Sequence, residues 1–188
     1  MSSAVETEIK FSIGNVRSLT ARLRASGFHL ITPRTHEMNT LYDLPGQPLR
    51  SRGALLRVRK YGQRWIITFK GRARFGRYKS RPEIETPVED GQALMAILEC
   101  AGFSSIFRYE KFRSEWTDDR GHLLIDETPI GNFCELEGPG DWIDSIAARL
   151  QITPAEYITD SYATLFLKWK RRAHSKAKYM CFAEVREA

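Results

Sequence analysis

Charged side chains alternate with other residues in the first strand-like segment of the chain. Glu6, Glu8 and Lys10 occupy every second position, and residues two apart in a β-strand point to the same side of the sheet. Two carboxylates and one ammonium group would therefore share one face, while Ile9 and Phe11 would lie on the other. An ordinary sheet turns its apolar face to the core and spreads its charges in water. A strand that gathers charges of both signs constrains the fold, because those charges need water or one another as partners.

The same alternation recurs in several later segments. In one of them Arg57 and Arg59 flank Val58. Across the alternating segments there are seven carboxylates (Glu6, Glu8, Glu83, Glu85, Asp126, Glu135 and Glu137) and seven cations (Lys10, Arg57, Arg59, Lys70, Arg81, Lys111 and Arg113). A solvated outer face is the ordinary explanation of a single charged pair. Here the charged alternation recurs on several strands, and the opposite face of each strand is apolar. This repetition favours one common surface on which the charges meet.

This pattern predicts an antiparallel sheet that curls on itself. A flat sheet would leave its charged face fully wet, whereas a closed barrel surrounds the charges and holds them in fixed positions. Helices would then cover the apolar outside. We therefore predict an α+β fold in which an eight-stranded antiparallel β-barrel has a charged interior and helices packed outside.

Two amphipathic segments, residues 15–27 and 90–102, predict helices of the same design. In each, leucines recur at the spacing of one helical face, and a glycine followed by phenylalanine comes at the end. Asn15 is a suitable N-cap for the first helix. Each segment follows a charged strand and precedes further strands, so the sequence predicts two related β-α-β-β halves.

Two more helices are expected towards the C-terminus. One covers residues 141–150 with Asp141 as its N-cap, and the other starts near residue 160 and enters the basic run Lys-Trp-Lys-Arg-Arg. Residues 72–79 predict a basic, glycine-bearing hairpin loop. No linker composition interrupts the chain, so we expect a single domain over residues 1–188, with a basic C-terminal helix and tail from about residue 160.

Composition narrows the class of protein. A chain of 188 residues suits one core, and no apolar run approaches the ~20 residues that cross a bilayer. The cysteines at 100, 134 and 181 are too far apart in sequence to suggest a metal-binding pair, which fits reduced thiols and a cytoplasmic location. A formal net charge of +6 favours anionic partners. The glycine-rich loop of P-loop enzymes is absent.

The two sets of inward charges indicate the chemistry of the ligand. Arginine offers a forked donor and lysine a compact charge to phosphate oxygens, so cations on several strands suit a polyphosphate. Clustered carboxylates suit Mg²⁺ or Mn²⁺, which take oxygen ligands and bridge phosphates. The expected cofactor is therefore Mg²⁺ or Mn²⁺, and the expected partner is a small phosphorylated molecule.

These motifs, in this order, resemble those of the CYTH superfamily, also called triphosphate tunnel metalloenzymes. The matching elements are Glu6-x-Glu8-x-Lys10, Asn39-Thr40-Leu41-Tyr42-Asp43, Leu56-Arg57-Val58-Arg59, Thr68-Phe69-Lys70-Gly71, Arg81-x-Glu83-x-Glu85, Lys111-x-Arg113, Asp126 with Gly131, Glu135-x-Glu137 and Ser161-Tyr162. The resemblance covers roughly residues 4–170. It implies an eight-stranded tunnel that binds a triphosphate together with a divalent metal.

The resemblance also implies roles for individual residues. The cations Lys10, Arg57, Arg59, Lys70, Arg81, Lys111 and Arg113 would bind phosphate oxygens. The carboxylates Glu6, Glu8, Asp126, Glu135 and Glu137 would hold metal, and Glu83 and Glu85 would either join them or pair with Arg81 and other cations. Lys10, Tyr42 and Lys70 are the candidate catalytic residues. Tyr42 and Lys70 would handle protons if their strands are adjacent, with a lowered lysine pKa; otherwise Tyr42 is an ordinary barrel tyrosine.

The motifs indicate the family more clearly than they indicate which reaction within the family this protein catalyses. We predict a metal-dependent hydrolase acting on inorganic triphosphate, with class IV adenylate cyclase or thiamine triphosphatase as alternatives. Thiamine triphosphatases carry a tryptophan directly before the Leu-Arg-x-Arg element, where this chain has Leu55, and Trp65 is expected outside the barrel. A non-catalytic polyphosphate or nucleic-acid binder is a remoter alternative, because a binder has little use for inward carboxylates. We expect no membrane partner, and a monomer or homodimer.

Overall fold

The charged segments form the strands of one antiparallel sheet in a computed structural model that describes residues 4–186. The strands of these residues are β1 (Ala4–Ile13), β2 (His29–Asp43), β3 (Leu55–Tyr61), β4 (Arg64–Lys70), β5 (Arg74–Phe75), β6 (Lys79–Val88), β7 (Ser104–Thr117), β8 (His122–Thr128) and β9 (Gly131–Glu137). The domain predicted for residues 1–188 extends beyond this range at both ends.

Eight of these strands close into a barrel, as the alternation predicted. The order around the sheet is β1-β9-β8-β7-β2-β3-β4-β6, and β6 pairs with β1 to close it. The short strand β5 pairs only with the start of β6, through residues 74–75 opposite 79–80. It forms the hairpin that was expected for residues 72–79.

Six α-helices lie within the described residues: α1 (Val16–Ala25), α2 (Pro48–Ser51), α3 (Gly91–Cys100), α4 (Gly140–Arg149), α5 (Tyr162–Arg172) and α6 (Phe182–Arg186). Apart from the short helix α2 between β2 and β3, the order β1-α1-β2-β3-β4 returns as β6-α3-β7-β8-β9, so each half contains the predicted β-α-β-β unit and one further strand. Corresponding strands of the two halves also meet in the sheet, since β1 pairs with β6 and β2 pairs with β7. The two related halves are therefore confirmed.

Side-chain capping fixes the starts of the two related helices. The Asn15 side chain accepts a hydrogen bond from the backbone of Ser18, and the Asp90 carboxylate accepts from the backbone at 92 and 93. The cap predicted for α4 is wrong. That helix begins at Gly140, so Asp141 lies in its first turn, and the Asp141 carboxylate pairs with Arg120 at 3.1 Å instead.

The apolar sides of the strands pack against the helices outside the barrel. The largest cluster joins α1 and α4 to β1, β8 and β9, and includes Ile9 and Phe11. Trp65 packs in a second cluster beneath α3, which confirms its predicted place outside. Its ring lies so close to Gly91 that an added Cβ would be only 2.0 Å away, so this contact requires glycine. A third cluster lies on the inner side of the sheet, where α5 and Met180 pack against Phe133 and Tyr109, which share strand faces with Glu135 and Lys111.

No helix in the described part of the chain is both long and apolar enough to cross a membrane.

Candidate active site in the barrel lumen

The barrel encloses a cavity of about 930 Å³. Thirteen of the sequence-predicted site residues line it: Glu6, Glu8, Lys10, Arg57, Arg59, Lys70, Arg81, Glu83, Glu85, Lys111, Arg113, Glu135 and Glu137. They come from β1, β3, β4, β6, β7 and β9. Strand alternation turns them inward while their neighbours pack outside. Two predicted residues, Tyr42 and Asp126, are not among the side chains that line the cavity.

One group of ion pairs crosses from β1 through β9 and β8 to β7. Lys10 Nζ lies 3.1 Å from Glu135, and Arg113 donates to the same carboxylate at 2.5 Å. Asp126 accepts two bonds from Arg113, both at 2.7 Å, and one from Lys111 at 2.8 Å. These side chains are almost fully buried. Buried charges require such partners, because desolvation without compensation is costly.

A second group surrounds Lys70. Its ammonium group lies 2.7 Å from Glu6 and 2.6 Å from Glu83, and Glu83 also lies 3.9 Å from Arg57. Burial and Arg57 lower the pKa of Lys70, but Glu6 and Glu83 outweigh them and leave it raised. The predicted lowering of this pKa is therefore wrong, because the lysine lies among carboxylates as well as cations. The Lys70 side chain is therefore protonated at neutral pH.

Tyr42 does not pair with Lys70. Its side chain is 1% exposed and packs with Val58 and Leu98 in the cluster beneath α3. Its hydroxyl has no hydrogen-bond partner in the part of the chain that the structure describes. The predicted proton-handling pair is therefore wrong, and the alternative of a barrel tyrosine is the one observed. Position 42 follows Leu41, a residue that lines the cavity, and so faces the opposite side of β2.

Three carboxylates form a distinct acidic group, which we call the acidic trio. One carboxylate oxygen from each of Glu6, Glu8 and Glu137 lies within 4.8 Å of the other two. Burial, together with Glu6, raises the pKa of Glu137 to about 8 despite the opposing effect of Arg113. Glu8 pairs with Lys79, and Glu6 with Lys70. Among residues 4–186, no lysine or arginine forms an ion pair with Glu137 as Lys79 does with Glu8 and Lys70 does with Glu6.

The structure divides the five carboxylates that were predicted to hold metal. Glu6, Glu8 and Glu137 meet in the acidic trio. Asp126 and Glu135 instead accept hydrogen bonds and ion pairs from the lumen cations. Asp126 is fully buried and also accepts from Tyr162 at 2.6 Å. Asp126 thus lies among Lys111, Arg113 and Tyr162, apart from the acidic trio, and the metal-binding role predicted for Asp126 and Glu135 stays a prediction.

Arg81 lines the cavity, but backbone carbonyls accept its hydrogen bonds. The guanidinium donates to Gly71 from Nε at 3.1 Å and from Nη2 at 2.5 Å, and to Gly53 at 3.4 Å. Burial lowers its pKa in spite of Glu6 and Glu8. Its predicted phosphate contact stays a prediction, as do the roles of Glu83 and Glu85. Glu85 pairs with Arg59 at 3.1 Å.

Sequence reasoning missed Glu37, a fully buried carboxylate that lies among the lumen cations. Glu37 is 0% exposed and lies 3.5 Å from Lys111 and 3.9 Å from both Arg59 and Arg113. Asn39 donates to it at 2.8 Å. Burial alone would raise the pKa of Glu37, but the neighbouring cations lower it to about 2. The sequence could have identified Glu37, because residues 37, 39 and 41 occupy alternate positions on one face of β2, as Glu6, Glu8 and Lys10 do on β1.

Lys79 was also missed, although it extends the alternation of Arg81, Glu83 and Glu85 by one step. It lines the cavity and pairs with Glu8.

Tyr162 and Tyr109 complete the lumen with aromatic surface. Their rings stack at 5.8 Å, and the Tyr109 hydroxyl accepts from Arg57 at 3.5 Å. Tyr109 continues the alternation of Lys111 and Arg113 by one step, and Tyr162 belongs to the Ser161-Tyr162 element, but the sequence analysis gave neither residue a role in the site.

The cavity therefore holds cations that are already paired with carboxylates. An anion that entered would take over part of these bonds, because phosphate oxygens offer lysine and arginine the same charge-assisted hydrogen bonds as carboxylates do. The acidic trio, in contrast, would gain from a cation. A ligand that brings both phosphate groups and a divalent ion matches both parts of the lumen.

Known proteins resemble this chain in sequence or in fold. A protein of Methanocaldococcus jannaschii named as a "putative adenylate cyclase" is 27% identical over 134 residues, which cover 71% of this chain and 76% of that protein. A structure from Vibrio parahaemolyticus, also described as a "putative adenylate cyclase", is 18% identical and covers 88% of this chain and 99% of its own, with a TM-score of 0.78.

A Hippeastrum structure has a TM-score of 0.64, with 17% identity over 87% of this chain and 95% of its own. Its description calls it a "putative adenylyl cyclase" with a dominant triphosphatase activity. At these identities the two solved structures establish the shared fold. The family model of the CYTH domain matches residues 4–153, most of the sequence, and the chain therefore belongs to the CYTH domain family.

Proposed function

We propose that this protein hydrolyses a triphosphate in its barrel lumen with the help of a divalent metal ion, and that inorganic triphosphate is its substrate. One observation carries the proposal: a single cavity of about 930 Å³ is lined by the acidic trio and by cations from several strands. The triphosphatase activity described for the Hippeastrum relative supports the same reaction class.

The cations bind the substrate. Lys10, Lys111 and Arg113 approach the phosphate oxygens from β1 and β7, and the guanidinium groups of Arg57 and Arg59 approach from β3. Arginine provides two parallel donors to one phosphate group, and lysine a single compact charge. A bare triphosphate needs no aromatic pocket for a base or ring, so charge recognition alone suffices.

The acidic trio fits a divalent cation. Its oxygens come from three carboxylates within 4.8 Å, and oxygen ligands are those that Mg²⁺ and Mn²⁺ take. Burial, followed by the Glu6 carboxylate, raises the pKa of Glu137, and a bound cation would favour the ionised form of this carboxyl group. Glu6, Glu8 and Glu137 would hold the ion. When bound, it supplies charge neutralisation at the phosphate oxygens.

In the reaction, a water oxygen attacks a terminal phosphorus and the bond to the bridging oxygen breaks. Orthophosphate and pyrophosphate leave, and the protons of the water pass to the product phosphates and to solvent. The chain's own residues fix the phosphate chain in line for this attack. Lys10 and Lys70 have raised pKa values even though burial lowers them, because Glu135 for the former and Glu6 for the latter outweigh burial, so both stay charged. Fixed cations stabilise the negative charge that moves to the leaving oxygen.

A second candidate is cyclisation of ATP, in which the ribose hydroxyl replaces water as the nucleophile. The names of the Methanocaldococcus and Vibrio relatives favour it. It would use the same phosphate-binding and metal-binding groups, so the lumen charges do not separate the two reactions.

The products separate the candidates. Purified protein is incubated with inorganic triphosphate, thiamine triphosphate or ATP, each with Mg²⁺ or Mn²⁺, and the products are resolved by chromatography. We expect orthophosphate from inorganic triphosphate at the highest rate, and no turnover in excess chelator. Cyclic AMP as the main product from ATP would favour the cyclase, and undiminished turnover in chelator would remove the metal from the proposal.

A further inference from the structure

The segment before α5 and the first residue of that helix contact Lys10 at three points. The backbone N–H of Ile158 donates to the Lys10 carbonyl at 2.7 Å. Lys10 Nζ donates to the carbonyl of Asp160 at 3.4 Å and lies 4.2 Å from the centroid of the Tyr162 ring. A lysine side chain has several rotatable bonds, so contacts along this segment restrict where its ammonium group can lie.

Tyr162 contacts the second group of lumen cations as well. Lys111 Nζ lies 5.0 Å from the same ring centroid. The Tyr162 hydroxyl donates to Asp126 at 2.6 Å, and that carboxylate in turn accepts from Lys111 and Arg113. Burial, followed by Asp126, raises the pKa of Tyr162 well above its ordinary value, so the hydroxyl keeps the proton that it donates.

We propose that Tyr162 is a positioning residue: its ring holds the ammonium groups of Lys10 and Lys111, and its hydroxyl fixes Asp126, so that the phosphate-binding cations keep their places when substrate enters. This inference rests on the proposed function. Tyr162 lies beyond residues 4–153, the part matched by the family model. Helix α5 thereby contributes to the active site as well as covering the barrel.

An aromatic ring suits this task better than another carboxylate. A carboxylate partner neutralises a lysine and competes with phosphate for its hydrogens. A ring attracts the cation through its π-electron face and leaves the ammonium hydrogens on the other side available. Donors that are held before substrate binds lose less freedom on binding and stabilise the transition state more effectively.

The test compares Tyr162→Leu with Tyr162→Phe. Binding of inorganic triphosphate is measured by calorimetry in chelator, and kcat and KM are measured with Mg²⁺. For Tyr162→Leu we expect roughly tenfold weaker binding, the scale of losing cation–π contacts in a desolvated site, and a kcat reduced by at least a similar factor. Tyr162→Phe keeps the ring, so its affinity should stay within about threefold of wild type.

Phe166→Leu is the matched control. Phe166 is 1% exposed on the same helix and packs against the rings of Phe107 and Trp169. It should lower the melting temperature while leaving triphosphate affinity unchanged. Wild-type affinity and kcat in folded Tyr162→Leu would overturn the proposal, and so would an equal loss of affinity in Phe166→Leu.

A substrate-free measurement keeps this inference separable from the proposed function. In protein labelled with ¹³C-lysine, the ring current of Tyr162 should shift the ε-methylene signals of Lys10 and Lys111, and Tyr162→Leu should return both to their ordinary range. Unchanged signals would overturn the positioning role, whether or not the protein turns over triphosphate. Shifted signals in a wild-type protein without triphosphate binding would support the lysine geometry and overturn the proposed function alone.

Discussion

Every lumen cation discussed above has an acceptor in the substrate-free structure, and this pairing determines what a substitution does. Lys10 shares Glu135 with Arg113, so removing Lys10 leaves that carboxylate with a partner. Among the described residues Glu137 has no such ion-pair partner, and its pKa is raised to about 8 mainly by burial. Removal of charge should therefore have different effects at these two positions of the cavity: lost turnover at Lys10, and increased stability of the metal-free protein at Glu137.

Lys10→Ala should reduce turnover of inorganic triphosphate by roughly 10²-fold or more, the scale for losing one preorganised charge-stabilising donor. The protein should remain folded, because Arg113 still donates to Glu135. Turnover and melting temperature are measured on one preparation. Lys176→Ala, which alters an exposed lysine, serves as the control. A strongly destabilised Lys10→Ala protein with full turnover would show that Lys10 is only a structural bridge.

Glu137→Gln should stabilise the metal-free protein at high pH. The folded pKa of about 8 lies above the ordinary value of 4.5, so the folded state keeps a proton that the unfolded state has lost. Wild-type stability therefore falls as the pH rises from about 4.5 to 8, by a few kcal/mol at most. Unfolding in chelator at pH 5 and pH 9 measures the difference between wild type and variant. If the stability difference between variant and wild type is the same at pH 9 as at pH 5, the raised pKa of Glu137 is wrong.

At the scale of secondary-structure elements, each strand of the barrel has two distinct faces. On β2, Glu37 and Leu41 face the lumen, and Tyr42 faces the cluster beneath α3. On β4, Lys70 faces the lumen and Trp65 packs beneath α3. A substitution on the outer face should therefore alter helix docking and leave the charges of the lumen in place.

Tyr42→Phe tests this separation of faces. The Tyr42 hydroxyl is buried without a hydrogen-bond partner within residues 4–186, so its removal should leave stability unchanged or raise it by about 1 kcal/mol. Turnover of inorganic triphosphate should equal that of wild type. Chemical unfolding and steady-state kinetics measure the two quantities. A loss of turnover approaching that of Lys10→Ala would restore the catalytic role that the sequence suggested.

At the scale of the whole molecule, the buried ion pairs connect strands that are distant along the chain. Glu37 on β2 lies near Arg59 on β3 and near Lys111 and Arg113 on β7. Such pairs are costly to break from one side, because the remaining charge stays buried without a partner. Stability of the barrel should therefore depend on pH through these carboxylates.

Acid should weaken the barrel partly through Glu37. Its folded pKa of about 2 lies below the ordinary 4.5, so the stability it contributes is fully present above about pH 4.5 and is lost as the pH falls towards 2. The free energy of unfolding is measured from pH 2 to 6 for wild type and Glu37→Gln. We expect the variant to be less stable at pH 6 and to show a shallower pH dependence. Parallel curves for the two proteins would contradict the assignment.

Local alternation was sufficient to predict which side chains enter the lumen on most strands. It placed Glu6, Glu8 and Lys10 on one face and Trp65 outside, because the two-residue period of a strand is a property of the backbone. It failed for Tyr42, which was chosen for its proximity in a motif rather than for its parity on β2. Glu37 was accessible to the same reasoning but was overlooked.

The sequence by itself determined the barrel, its two related halves and the charged character of its interior, since these depend on patterns within single strands and helices. Only the tertiary structure decided which charges meet. Glu137 joins Glu6 and Glu8 because β9 lies beside β1 in the closed sheet, and Tyr162 reaches Lys10 because α5 packs against the barrel. Contacts between such distant segments depend on strand order, register and helix docking, which a pattern two residues long does not encode.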